Sequence, residues 1–320
     1  MASLLIIGGS GFFGKSILDA YKRGLLNPWG IDLIYVFARN ADRLKEEAPE
    51  LVGASIKLMN GDIASCKELP TADYVIHAAA STDAANYLSQ PELEKKNIQA
   101  GTYNYCELAK KFHQNSRIVY CSSGAVYGQQ PPDLDKIPEE YDGGLLADMS
   151  LTKQDYAAAK RDAEVAIINL GKEGLSVSIA RCFAFVGPYL PRNKHFAIGN
   201  FIEDGIQGRH ITIKAQHEVY RSYMHADDLV IWLMTIAASS SISCPLFNVG
   251  SDGAVEIREL AQKVASLFRV QINAAALISS VPMDRYIPNI AKAKNTLGLN
   301  LQFDLDGAIS ITAEKLRRSI

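Results

Sequence analysis

The sequence predicts a doubly wound α/β fold, in which helices cover both faces of a parallel sheet. Three observations support this fold class. Short apolar runs alternate with amphipathic stretches before residue 120, as a sheet buried on both faces requires. The first apolar run leads through a glycine-spaced loop into a helical pattern. The length of 320 residues leaves room for a second, smaller α/β lobe.

The predicted elements follow one another regularly in the first part of the chain. Strands are expected in the apolar runs, and helices in the periodic stretches between them. The expected strands are SLLIIGG, DLIYVFA, SIKLMNGD, ADYVIHAAA and SRIVYCSS. The expected helices cover residues 11–21, 42–47 and 91–112.

The pattern then changes twice. Residues 129–150 are polar and rich in proline and glycine, which indicates a long loop at the edge of the sheet. A helix in QDYAAAKRDAEVAIINLGKEG and a strand in SVSIARCFAF follow. We expect residues 1–185 to form the main domain, with residues 216–250 returning to it. Residues 186–215 and 251–320 are expected to form the smaller lobe.

Composition and charge narrow the classes of function. With 48% apolar and 21% charged residues, the chain is typical of a soluble globular protein. A net charge of -2 provides no field that would attract nucleic acid or an anionic membrane, so neither partner is expected. The five cysteines are scattered and form no C-x-x-C, which argues against disulfides and metal sites and favours a reducing cytoplasm.

The glycine-spaced loop is the first candidate binding site. In LLIIGGSGFFGKS, Gly8, Gly11 and Gly14 stand between a strand and a helix. Glycines at this spacing let the backbone approach a pyrophosphate, whose charge is stabilised at the helix N-terminus. A purely structural turn has the same pattern, so the loop alone does not establish a dinucleotide site. The expected cofactor contacts in this loop are Gly8, Ser10, Gly11, Phe12, Phe13 and Gly14.

The end of the second strand predicts which dinucleotide is bound. An acidic residue there favours NAD because it binds the ribose hydroxyls, whereas an arginine accommodates the 2′-phosphate of NADP. The strand DLIYVFA is followed by Arg39 and Asn40, with Arg43 one turn later. Arg39 is therefore predicted to bind the 2′-phosphate, with a solvated surface charge as the alternative. NADP is the expected cofactor, and NAD stays open.

Taken in order, these segments resemble the extended short-chain dehydrogenase/reductases, the NAD(P)-dependent nucleotide-sugar epimerase/dehydratase family. The resemblance covers almost the whole chain and includes GDI, HAAA, NIQAGTYN, CSSGAVYG, YAAAK, RSYMHADD and NVG. It implies an NAD(P)-binding Rossmann domain, a nucleotide-sugar-binding lobe and a homodimer. It also implies further cofactor contacts from Asp62, Ile63, Ala78, Ala79, Ala80 and Asn97.

The YAAAK segment carries the expected chemistry. Moving a hydride to or from a sugar carbon requires a proton to move on the neighbouring oxygen. Tyr156 can transfer that proton if its pKa falls from about 10 towards neutrality. Lys160, one turn along the same helix face, can lower this pKa together with oxidised nicotinamide. Ser123 is expected to hydrogen-bond the same oxygen. In isolation, Tyr156 and Lys160 would be an ordinary turn of helix.

The two residues after Ser123 predict the reaction. The family's 4,6-dehydratases carry an Asp-Glu pair there, its decarboxylases a Glu, and its GDP-fucose synthases a Cys. This chain has Gly124 and Ala125, which cannot transfer a proton. We therefore expect NADPH-dependent reduction of a nucleotide-linked 4-keto-6-deoxyhexose for surface polysaccharide. An NAD-dependent 4-epimerase is the alternative, and a non-enzymatic NAD(P)-sensing regulator is the third hypothesis.

Substrate contacts are expected mainly from the smaller lobe. A nucleotide diphosphate needs cationic groups, and Arg221 in RSYMHADD is the main candidate. Arg285 resembles an arginine that precedes the final helix in some sugar reductases of the family. His195 is a candidate acid or base, with a packed or solvent-facing histidine as the alternative. The other expected substrate contacts are Ser81, Ser122, Ser123, Gly124, Ala184, Asn200 and Phe201.

Overall fold

The structure is a computed structural model, and it describes residues 1–80, 89–192, 194–278 and 280–318. The strands within these residues are numbered along the chain. They are β1 (Ala2–Ile7), β2 (Ile31–Ala38), β3 (Ile56–Asn60), β4 (Tyr74–His77), β5 (Arg117–Ser123), β6 (Val177–Cys182), β7 (Phe185–Val186), β8 (Ile211–Ile213), β9 (Val219–Arg221), β10 (Met224–His225), β11 (Leu246–Val249), β12 (Val255–Glu256), β13 (Ile272–Ala274) and β14 (Asp284–Tyr286).

The α-helices are numbered in the same way. They are α1 (Phe12–Lys22), α2 (Leu44–Glu47), α3 (Pro91–Phe112), α4 (Leu151–Lys172), α5 (Ala197–Ile206), α6 (Ala226–Ala238), α7 (Ile257–Phe268), α8 (Ala291–Leu297) and α9 (Leu305–Arg317). The predicted charged helix at residues 42–47 is shorter in the structure, where α2 forms a single turn. The predicted strand SVSIARCFAF is divided into β6 and β7.

The main sheet confirms the predicted fold class. Seven strands of the described chain lie in the order β11-β6-β5-β4-β1-β2-β3, and each pairing is parallel. Strand β1 shows why continuous apolar runs encode this sheet. Leu4 and Ile6 pack into the core on one face, while Leu5 and Ile7 pack into the core on the other. Because both faces are buried, both sets of alternating side chains must be apolar.

Two layers of helices cover this sheet. Helices α1 and α6 contribute apolar side chains to the core on one face. Helices α3 and α4 pack against each other on the opposite face. Since each parallel strand is followed by a crossover, the carboxyl ends of the strands meet at one edge, where α/β proteins bind their ligands.

Strand pairing and core packing bear on the expected boundary between the main domain and the smaller lobe. Strand β9, in the segment expected to return to the main domain, pairs with β12 and β14 in a separate three-stranded sheet. Ile290, Ala293 and Leu299 pack instead into the core of the main sheet, although residues 251–320 were all expected in the lobe. Both differences arise from pairing and packing between segments that are distant in the sequence.

Among the described helices, none combines the length and the apolar character needed to cross a membrane.

Candidate active site

A cleft of about 1490 Å³ lies at the carboxyl edge of the main sheet and extends to the smaller lobe. The loops after β1, β2, β4 and β5 line one end, and residues of β9, β14 and α5 line the other. Its volume exceeds the roughly 300–1,000 Å³ of a typical single-ligand pocket. The cleft therefore has room for a dinucleotide and a second ligand side by side.

The glycine loop forms the floor of the cleft at the start of α1. Gly8 has a φ of +88°, and a Cβ there would lie 2.8 Å from the backbone of Ala79. Gly14 has a different role from the expected cofactor contact, because it does not line the cleft in the described structure. A Cβ at Gly14 would lie 2.0 Å from the carbonyl oxygen of Gly9, so this glycine lets the helix pack onto the loop. The open backbone and the free helix N-terminus fit a pyrophosphate.

The other expected cofactor residues surround this loop. Arg39 and Asn40 are exposed at the end of β2, and Arg39 forms no ion pair within the described part of the chain. Arg43 pairs with Glu47 one turn later, while its amide donates to Asn40 Oδ1 at 3.2 Å. The remaining lining residues in this region are Ser10, Gly11, Phe12, Phe13, Asp62, Ile63, Ala78, Ala79, Ala80 and Asn97.

Ser123, Tyr156 and Lys160 come together at the centre of the cleft. Ser123 is the last residue of β5, and its hydroxyl accepts a hydrogen bond from the amide of Ala125 at 3.2 Å. Tyr156 on α4 hydrogen-bonds Ser123. The ammonium of Lys160, one turn further along α4, lies 6.0 Å from the centre of the Tyr156 ring. The expected separation of four residues therefore places both side chains on the face of α4 that meets β5.

The acidity of Tyr156 is set by opposing effects. Burial raises the pKa of Tyr156, whereas the charge of Lys160 and the hydrogen bond to Ser123 lower it, and the net pKa is raised. Lys160 thus acts in the expected direction, but the protein groups alone do not bring the pKa towards neutrality. A further positive charge in the cleft, such as oxidised nicotinamide, would be needed for that shift.

A second tyrosine, which the sequence did not reveal, lies beside Ser123. Tyr286 on β14 hydrogen-bonds Ser123, and its hydroxyl is 3.5 Å from the carbonyl oxygen of Cys182. A Cβ at Gly124 would lie 2.6 Å from Tyr286 Oη and 2.7 Å from Phe183 Cζ. Gly124 itself does not line the cleft in the described structure, contrary to the expected substrate contact. Its lack of a side chain leaves room for the two rings.

Ser122, an expected substrate contact, lines the cleft, but its hydroxyl is already engaged. It donates to Glu164 Oε1 at 2.6 Å, and Arg181 binds the same carboxylate through Nε and Nη2. Successive residues of a strand point to opposite faces, so Ser122 and Ser123 cannot both face the substrate oxygen. This buried group joins β5, α4 and β6 beneath the site.

Most of the side chains expected to contact a substrate line the lobe end of the cleft. Arg221 Nη2 pairs with Asp284 Oδ2 at 2.6 Å, and Arg285 Nη1 pairs with Asp135 Oδ1 at 2.9 Å. His195 is exposed, and its ring lies against that of Phe196 with the ring centres 4.0 Å apart and the planes tilted by 39°. Ala184, Asn200 and Phe201 also line the cleft. Ser81 lies outside the described residues.

The charge of the cleft is opposite to that of the whole chain. Among the described residues, eight lysines and arginines line it, against three acidic residues, although the net charge of the chain is -2. Three of the eight, Lys153, Lys194 and Lys214, were not among the site residues expected from the sequence. A local excess of cations suits anionic ligands that carry several phosphates. In the described residues, no group of three or more His, Cys, Asp or Glu side chains could hold a metal ion.

The fold and the site together define an NAD(P)-binding Rossmann protein of the extended short-chain dehydrogenase/reductase type. The signature of the NAD dependent epimerase/dehydratase family matches residues 4–250. The chain belongs to this family of nucleotide-sugar enzymes.

Curated relatives cover nearly the whole chain. UDP-glucuronic acid decarboxylase 5 of Arabidopsis thaliana is 27% identical over 317 residues, which cover 98% of this chain and 89% of the relative. UDP-glucuronic acid decarboxylase 1 of Xenopus tropicalis is 26% identical over 321 residues, with 99% and 72% covered. The chain is thus similar to decarboxylases throughout its length.

Solved structures share the fold at lower identity. The UDP-glucose 4-epimerase of Thermotoga maritima with UDP-glucose has a TM-score of 0.80 at 20% identity, with 99% of both chains covered. The dTDP-glucose 4,6-dehydratase DesIV of Streptomyces venezuelae, with NAD and TYD bound, has a TM-score of 0.81 at 20% identity, with 99% and 97% covered. The likeness therefore spans the main domain and the lobe.

Proposed function

We propose that the protein uses NADPH to reduce a nucleotide-linked 4-keto-6-deoxyhexose to the 6-deoxyhexose, for surface polysaccharide synthesis. One observation carries the proposal. Ser123, Tyr156 and Lys160 converge in the cleft, while the adjoining positions are Gly124 and Ala125. The site thus has a proton donor for one oxygen and no carboxylate for water elimination or carbon epimerisation at these positions.

The proposed reaction divides the work among three side chains. When bound, NADPH would supply the hydride that the carbonyl carbon receives. Ser123 donates a hydrogen bond to the carbonyl oxygen and holds it beside Tyr156. Tyr156 transfers its phenolic proton to this oxygen, so the ketone becomes an alcohol and Tyr156 becomes a phenolate. The Lys160 charge stabilises the phenolate until a proton returns.

A ketosugar screen on purified protein tests the reaction. Loss of NADPH absorbance, with an equivalent amount of alcohol product, is expected with at least one nucleotide 4-keto-6-deoxyhexose. Interconversion of two sugars without added cofactor would instead identify a 4-epimerase. Because the curated relatives are decarboxylases, UDP-glucuronic acid belongs in the screen. We expect no release of carbon dioxide from it, since Gly124 and Ala125 carry no acid.

The preference for NADPH rests on Arg39. Its exposed guanidinium lines the cleft and is not paired with a carboxylate in the described structure, so a 2′-phosphate can bind it bidentately. Arg39→Asp should shift the ratio of kcat/KM from NADPH towards NADH by at least about tenfold. Arg318→Asp makes the same charge change at an exposed position outside this cleft and should leave the ratio unchanged. An unchanged ratio in Arg39→Asp would disprove the assignment.

The nucleotide diphosphate is assigned to Arg221 and Arg285 at the lobe end of the cleft. The ion pair through Nη2 with Asp284, and the hydrogen bonds that Nη1 donates to the carbonyl oxygens of Tyr220 and Asp284, hold Arg221 in place. Nε and the second N–H of Nη2 are the donors left for phosphate oxygens. The structural neighbours that contain UDP-glucose or TYD support a nucleotide-linked substrate.

We also propose that the protein is a homodimer formed through α3 and α4. Tyr103 on α3 and Val165 and Ile168 on α4 are apolar side chains with 50%, 58% and 36% exposure. Their burial against a second copy would remove apolar surface from water. Sedimentation at micromolar concentration should give a mass of two chains.

A further inference from the structure

A buried phenol lies behind the proposed catalytic lysine. Tyr120 on β5 is fully buried, and Lys160 Nζ donates to its hydroxyl at 3.2 Å. The same ammonium donates to the carbonyl oxygen of Cys121 at 2.8 Å. Nζ also lies 4.8 Å from the centre of the Tyr120 ring. Tyr120 thus contacts Lys160 both through its oxygen and through the face of its ring.

The protons in this group can be assigned by elimination. Thr102 Oγ1 donates to the carbonyl oxygen of Ile98 at 2.9 Å, so its own proton is used. Tyr120 Oη lies 3.4 Å from Thr102 Oγ1. Because Tyr120 accepts from Lys160, it can direct its own proton to Thr102. The hydrogen bonds therefore run in one direction, from Lys160 through Tyr120 and Thr102 to a carbonyl of α3.

This chain of hydrogen bonds cannot carry protons to solvent. Thr102 is 1% exposed, and its final acceptor is a backbone carbonyl inside α3. The arrangement consequently orients its members. An ammonium with two of its three N–H bonds directed to Tyr120 and Cys121 has its third direction determined by tetrahedral geometry.

The charge of Lys160 depends on these contacts because no carboxylate forms an ion pair with it in the described structure. Its side chain is in a residue only 2% exposed, where an unpaired charge is costly. The titratable groups that face it are His77 of β4, Tyr120 and Cys121 of β5, Tyr156 of its own helix and Cys182 of β6. Burial lowers the pKa of His77 and raises the pKa of Tyr156 and of Cys182, so these three groups stay neutral at pH 7.

We propose that Tyr120 is a positioning residue for Lys160. Tyr120 sustains the positive charge of Lys160 and directs the third N–H of the Lys160 ammonium towards the cleft, where the dinucleotide would be held. The inference rests on the proposed function for the role of Lys160. The role of Tyr120 is nevertheless a property of the protein alone. It can therefore be tested without a substrate.

Tyr120→Phe removes the hydroxyl and keeps the ring. Tyr105→Phe is the matched control, because Tyr105 is also fully buried and its hydroxyl has no hydrogen-bond partner in the described structure. Thr102→Val removes the acceptor of Tyr120 while keeping the size of the side chain. The first measurement is the pH dependence of Lys160 acylation by acetic anhydride, read by peptide mass spectrometry on the whole protein. The second is the dissociation constant of NADPH and NADH as a function of pH.

We expect Tyr120→Phe to lower the pH at which Lys160 becomes reactive by at least about one unit and to weaken dinucleotide binding about tenfold. Thr102→Val should also lower the pH at which Lys160 becomes reactive and weaken dinucleotide binding, but by smaller amounts. Tyr105→Phe should match the wild type in both measurements. Equal acylation profiles in Tyr120→Phe and Tyr105→Phe would overturn the proposal, even if the melting temperature fell in both.

The test also covers a variant that does not fold and a wild type that binds no dinucleotide. If Tyr120→Phe does not fold, the acylation profile of Thr102→Val decides, and a profile equal to that of the wild type overturns the proposal. If the wild type binds neither dinucleotide, the proposed function fails, but the acylation profiles still report on Tyr120 and Lys160.

Discussion

Lowering the pH should destabilise the protein through His77, the last residue of β4. His77 is only 1% exposed, and neither nitrogen of its ring has a hydrogen-bond partner in the described structure. Burial, and then the charge of Lys160, lower the pKa of His77 from 6.5 to about 3. Folding thus keeps this imidazole neutral at a pH where it would otherwise be charged.

The size of the effect follows from linkage. Below pH 6.5 the unfolded chain takes up a proton at His77, while the folded chain does not until about pH 3. The unfolded state therefore binds more protons in this range, and stability falls as the pH falls. Between pH 7.5 and pH 5.0, protonation of His77 in the unfolded state lowers the free energy of unfolding by about 2 kcal/mol.

Other groups titrate in the same range, so the test is a difference between variants. Burial lowers the pKa of His113 and His225, which act in the same sense as His77. Burial raises the pKa of Asp228 to about 6, and this group acts in the opposite sense because the folded state holds the extra proton. Only the contribution that His77→Phe removes can be assigned to His77.

Urea unfolding followed by circular dichroism at pH 7.5 and 5.0 measures this contribution. The wild type should lose about 2 kcal/mol more free energy of unfolding than His77→Phe between the two pH values. His210→Phe, at an exposed position, controls for the loss of a histidine. Losses that agree within about 0.5 kcal/mol in the wild type and His77→Phe would refute the argument.

Two further predictions concern packing beneath the site. Gly124→Asp should lower kcat at least about tenfold without creating a dehydratase, because its Cβ would lie 2.6 Å from Tyr286 Oη. The control is Gly53→Asp, which should keep the kcat of the wild type because a Cβ at Gly53 meets no atom within 4 Å. Water elimination by Gly124→Asp would contradict this reasoning. Arg181→Leu should lower the free energy of unfolding by about 3–5 kcal/mol, because Glu164 would stay buried without its partner. Adding Glu164→Gln to Arg181→Leu should recover part of the lost free energy of unfolding, as measured by urea unfolding. If the double variant recovers none of it, the loss does not come from the unpaired charge of Glu164.

The sequence by itself determined the main sheet, because the signals for it are local. Four consecutive apolar residues in β1 are needed by a strand buried on both faces, and the periodicity of residues 91–112 matches the bounds of α3. The distance of four residues between Tyr156 and Lys160 likewise placed both on one face of a helix, as the structure shows.

Only the tertiary structure decided which distant segments meet. Strand β9 pairs with β12 and β14, which follow much later in the chain. Tyr286 reached Ser123 from β14, and Tyr120 met Lys160 across the contact of β5 with α4. No local pattern marks such side chains, since a tyrosine in an apolar strand has the spacing of any core residue. Their partners are set by how the strands and helices pack, and that packing decides what surrounds the proposed proton donor.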